Sequence, residues 1–65
     1  MAVINSIVEP PYLKGTNNRR HWLDGWNYYV SGRAHATPLP AFTEGWNAAS
    51  ALFVAGNVVV TRGDY

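Results

Sequence analysis

The chain predicts a small α+β fold: a two-helix hairpin with short β-prone N- and C-terminal arms. Three observations lead there. The stretch Trp22-Leu-Asp-Gly-Trp-Asn27 returns twenty positions later as Phe42-Thr-Glu-Gly-Trp-Asn47, so an aromatic-x-acid-Gly-Trp-Asn motif stands at matching places in two segments. Within each segment the aromatic residues recur at helical spacing, which predicts two similar helices packed through aromatic faces. The two ends are rich in Val and Ile, the side chains that favour strands.

Taken in order, residues 1–11 read as an extended arm or edge strand that stops at Glu9-Pro10-Pro11, where proline forbids a regular helix or central strand. Residues 12–16 form a turn, in which Gly15 permits a positive φ and Thr16, Asn17 and Asn18 offer oxygen atoms to cap the next helix. The first helix is expected over 18–31, with Gly32 just past its last turn and Arg33 beside the C-terminal dipole. Trp22, Trp26, Tyr29 and Val30 share one face of it. Gly25 lies near the same stripe; a helical glycine costs about 1 kcal/mol relative to alanine, so close approach of another backbone is the expected compensation.

Residues 33–39 are a loop, and Pro40 suits the first turn of a second helix over 40–55. The short connection favours antiparallel neighbours. Phe42, Trp46, Ala49 and Phe53 repeat the stripe, with Gly45 in the place of Gly25, and Gly56 supplies the stop. Val58, Val59 and Val60 then read as a short strand over 57–62. A two-stranded ribbon is marginal alone, so the arms either pack over the helices or complete a neighbour's sheet.

Composition points toward a partner. A chain of 65 residues is a single small domain that buries only about 60% of its unfolded surface. It has no cysteine for a disulfide, and only His21 and His35 as imidazoles for a zinc site, so the usual staples of small folds are missing. Hydrophobic residues make up 48% and charged residues 14%, against a usual charged share of about 25%. An apolar surface of that kind suits a subunit seated against other chains.

The catalytic inventory is thin. The acids are Glu9, Asp24, Glu44 and Asp64; no triad is recognisable, and the sequence reads as a non-enzyme with no cofactor. Asp24 and Glu44 occupy equivalent repeat positions and are explained by the preference of acids for the start of a helix. His21 and Asp24 share a helix turn, but a metal site needs three or four converging ligands and only this pair is visible. Lys14-Gly15-Thr16 reverses the order of a phosphate-binding loop, and Arg62-Gly63-Asp64 is a three-letter match best read as a turn. A net charge of +1 leaves no strong footprint for nucleic acid. No apolar run approaches the roughly 18 residues of a membrane span, and the N-terminus lacks a signal-peptide pattern. The expected location is cytoplasmic or within a virion, with no membrane contact.

The aromatic residues divide between core and surface. Trp26 and Trp46, beside the two glycines, are expected in the core. Tyr12, Trp22 and Tyr28 are expected on a protein-contact surface, together with Val3, Ile4 and Ile7 of the N-terminal arm and Val58 and Val60 of the C-terminal one. The function so read is that of an accessory subunit on a larger protein assembly, of the kind of a small minor or cement protein of a phage particle.

From Gly25-Trp26 through Gly32-Arg33 and Pro38 to Gly45-Trp46, the sequence resembles ribosome modulation factor and its small phage and plasmid relatives. The likeness covers roughly residues 20–50 and rests on short motifs. It implies two helices joined by a proline-containing loop, and a ribosome partner. Lys14, Arg19, Arg20 and Arg33 would then meet RNA phosphates while an aromatic ring stacks on a base.

Overall fold

Thr16 starts the first helix. Its Oγ1 accepts a hydrogen bond from the Arg19 amide at 3.2 Å and so satisfies one of the donors a helix start leaves open. A computed structural model describes residues 9–56, and in it α1 spans Asn17–Val30 and α2 spans Pro40–Val54. The two pack against each other as a helical hairpin. α1 opens at Asn17, one residue before the expected start, because the cap is Thr16 itself.

The stops are glycine-based, as expected. At the end of α1, Gly32 takes a φ of 77°; its amide bonds the Tyr29 carbonyl at 3.1 Å and the Arg33 amide bonds the Tyr28 carbonyl at 2.9 Å. That double bond pattern over a left-handed residue closes the last turn. Pro40 opens α2, where a missing N–H costs nothing, and Gly56 ends it with a φ of 86°.

The β part of the predicted fold class is not supported. No strand occurs among the described residues, and residues 9–11 run without regular structure. The strand readings at 1–8 and 57–62, with Val3, Ile4, Ile7, Val58 and Val60, lie outside the described residues.

The core is small and aromatic: Trp22, Leu23, Trp26 and Ala49 cluster together, with Tyr12, Tyr29, Val30, Ala48 and Leu52 against them. Leu23 is fully enclosed, worth about 1.5–3 kcal/mol of transfer free energy for a side chain of that size. Trp22 and Trp26, one turn apart on α1, stack with centroids 5.4 Å apart. What lets α2 come so close is the pair of glycines. A Cβ on Gly25 would collide with the Phe42 carbonyl oxygen and lie 2.9 Å from the Trp46 amide nitrogen; one on Gly45 would collide with the Trp22 carbonyl oxygen. Backbone therefore meets backbone at both places, as the sequence led us to expect at Gly25.

Candidate protein-docking surface

Where the aromatic side chains go decides what remains for a partner. Trp26 is buried, in line with its expected core role, while Trp46 is half-buried and takes the edge of Tyr29 at 5.3 Å. Trp22 corrects the sequence reading. It is expected on a contact surface, but only 3% of it is exposed, because Tyr12 packs on the cluster that contains it and Trp26 stacks on it. Burial of both indoles on one face is the cheaper arrangement for so small a core.

Tyr12 and Tyr28 keep a partly open position, both being half-buried. The Tyr12 hydroxyl donates to the Glu44 carboxylate at 2.9 and 3.1 Å. That hydrogen bond, reinforced by burial and by the carboxylate's charge, holds the Tyr12 phenol above its ordinary pKa of 10.0. Tyr28 meets Phe42 edge-on at 5.2 Å and carries the Arg33 guanidinium 5.0 Å over its ring, a cation–π geometry. The loop is fastened beside it. The His35 ring stands edge-to-face against both Phe42 and Trp46, at 5.1 and 5.2 Å, and its Nε2 lies 3.1 Å from the Thr43 hydroxyl.

The four cations considered for RNA phosphates separate. Lys14, Arg20 and Arg33 are exposed. Arg19 is a correction, being buried at 5% exposure: its Nη1 donates to the Tyr12 carbonyl at 3.0 Å, and its Nη2 lies 3.6 Å from the Glu9 carboxylate. It fastens the N-terminal segment and is not presented to phosphates. Asp24 and Glu44 do not mark helix starts as expected, since neither helix carries an acid in its first turn; Glu44 is engaged by Tyr12 instead. Among the described residues no group of three or more His, Cys, Asp or Glu converges, and no helix is long and apolar enough to cross a membrane.

What α2 leaves uncovered is not singled out by the sequence. Phe53 is 62% exposed and Val54 80%, with Ala51 and Ala55 also exposed, so the last turn of α2 presents an apolar surface. The sequence places Phe53 on the packing stripe, and it does touch Tyr29 edge-on at 6.0 Å, but it lies at the margin of the helix pair. The signal is present in the run Ala-Leu-Phe-Val-Ala at 51–55, which is apolar on every face and exceeds what one facing helix can cover. Leu13 adds a separate exposed apolar side chain, 81% open. Compared with protein-family models, with curated proteins and with solved structures, the chain matches none.

Proposed function

We propose that this chain is a non-enzymatic accessory subunit that docks on a larger protein assembly, such as a small minor or cement protein of a phage particle, carried in the virion or in the cytoplasm before assembly. The observation that carries this reading is the bare apolar turn at the end of α2, Phe53 and Val54, on a chain with few charges. Exposed hydrophobic side chains next to one another on a small fold favour a partner surface that removes them from water. Glycine-mediated packing supports the same reading from the other direction: it makes a rigid hairpin out of few residues, so little ordering entropy remains to be lost on docking. A tagged copy followed through a density gradient tests it. Co-migration with capsid-sized particles that survives high salt supports the proposal, and a protein that remains a well-folded monomer at the top of the gradient sinks it.

A second reading has its own observation. Lys14, Arg20 and Arg33 are exposed, and the residues that carry the resemblance to ribosome modulation factor include Arg33 stacked on Tyr28. On this reading the hairpin is a ribosome-associated, RNA-binding regulator held through phosphates. The same gradient separates the two, since co-migration with ribosomes that dissolves as salt rises is the mark of phosphate contacts. The repeated Gly-Trp pairs do not favour it over the first, because the helix packing already accounts for them.

A further inference from the structure

Residues 9–13 lie across the hairpin as a strap, and Tyr12 engages both helices from it by side chain and backbone. Its carbonyl accepts from Arg19 of α1 at 3.0 Å, and its hydroxyl donates to Glu44 of α2 at 2.9 and 3.1 Å. Its ring rests on the cluster of Trp22, Leu23, Trp26 and Ala49. Pro10 is buried ahead of it, and the Pro10-Pro11 pair stiffens the segment.

After Tyr12 the hold ends abruptly. Leu13 is 81% exposed, and Gly15, at a φ of 85°, has open space around it. The turn at 13–16 belongs to α1 instead: the Thr16 hydroxyl donates to the Leu13 carbonyl at 2.7 Å while accepting from the Arg19 amide. A stiff strap therefore joins a turn anchored on the helix, through a residue whose side chain stands in solvent.

We propose that residues 9–13 form a latch that opens and closes as one unit about the turn at 13–16, with the Tyr12 hydroxyl on Glu44 as its catch, while α1 and α2 stay packed. Opening returns the buried Arg19 guanidinium to water, which favours it, while breaking its bonds to the Tyr12 carbonyl and Glu9 and baring the flank of Trp22, which oppose it. Terms of opposite sign are what give a segment a local opening free energy below that of the whole fold. In the open form Trp22, hidden in the closed one, becomes reachable by a partner.

Hydrogen exchange on the intact chain, read residue by residue, tests the latch. Tyr12→Phe keeps the ring and removes the catch. It is expected to speed solvent exchange of the Trp22 indole N–H by roughly three- to tenfold, the size of one ordinary net hydrogen bond, with the Ala49 amide of α2 unchanged. Glu44→Ala, which removes the catch from the other side, is expected to do the same. Equal acceleration at Trp22 and Ala49 would show that the strap opens only with the whole fold and overturn the latch. Acceleration at neither site would show that the bond is no catch, and failure of both variants to fold would place the strap in the cooperative core; each outcome likewise overturns it.

Discussion

Gly25 and Gly45 make the same contact from opposite sides of the helix interface: Gly25 lies on the carbonyl of Phe42, and Gly45 lies on the carbonyl of Trp22. Each is the fourth residue of its copy of the motif, and each rests on the first residue of the other copy. The repeat is thus a reciprocal lock, in which one aromatic position supplies the carbonyl and one glycine position supplies the gap. Close approach of this kind suits Cα–H···O contacts, which add modestly to the packing.

Gly25→Ala and Gly45→Ala should each destabilise the hairpin. Alanine gains about 1 kcal/mol of helix propensity over glycine, but here its methyl group would collide with backbone, which no rotamer change can relieve. Overpacking of a tight contact costs about 1–3 kcal/mol and sometimes more, so the steric term wins. Urea denaturation midpoints decide it, and a midpoint that rises in either variant would mean that the two helices do not approach as described.

Trp22→Ala separates a core role from an interface role. With 3% of the residue exposed and its ring stacked on Trp26, truncation should cost about 3–5 kcal/mol, the usual range for a buried aromatic. For a fold this small that is most of the stability, and thermal unfolding followed by circular dichroism should show little folded protein at room temperature. Unchanged melting with weakened particle binding would restore Trp22 to the surface.

Most of the hairpin could be read from the sequence because its signals are local. Thr16 as cap, Gly32 and Gly56 as stops, and Pro40 as an opener each act within a few residues, and the helix boundaries follow from them. The glycine stripe was readable too, since a glycine amid aromatic residues implies close approach. The positions of Trp22 and Arg19 were not. Both depend on Tyr12, several residues upstream, folding back over α1, and no periodicity within α1 reports that. The candidate site is not legible for a related reason: the periodicity puts Phe53 on one stripe with Phe42, Trp46 and Ala49, but does not report that Phe53, touching Tyr29 edge-on, stays 62% exposed.

The Tyr12 phenol should ionise only above its ordinary value. Its hydrogen bond to Glu44 comes first among the causes, followed by burial and by the carboxylate's charge. Because the folded value is raised, the fold favours the protonated phenol; that contribution is fully present below pH about 10 and is lost as pH rises through the folded value. Ultraviolet titration of wild type against Tyr12→Phe isolates this group by difference. In Glu44→Gln the carboxylate charge is gone, and the Tyr12 transition should move back down; a transition that stays where it was would mean that Glu44 is not the cause.

Val54→Lys tests the docking surface without disturbing the fold beneath it. Val54 is 80% exposed and is the last residue of α2, so little packing is lost. A lysine there has better helix propensity than valine, and its charge sits favourably at the C-terminal end of the helix dipole, worth about 0.3–1 kcal/mol when exposed. Thermal stability should therefore hold steady or rise slightly. Binding should respond in the opposite sense, because a partner closing over Phe53 and Val54 would have to strip water from an ammonium group that has nothing apolar to gain. Loss of particle association by at least tenfold, with an unchanged or higher melting temperature, is the expected result. Association that persists undiminished would move the docking surface away from the end of α2 and leave Tyr28 and Leu13 as the places to look.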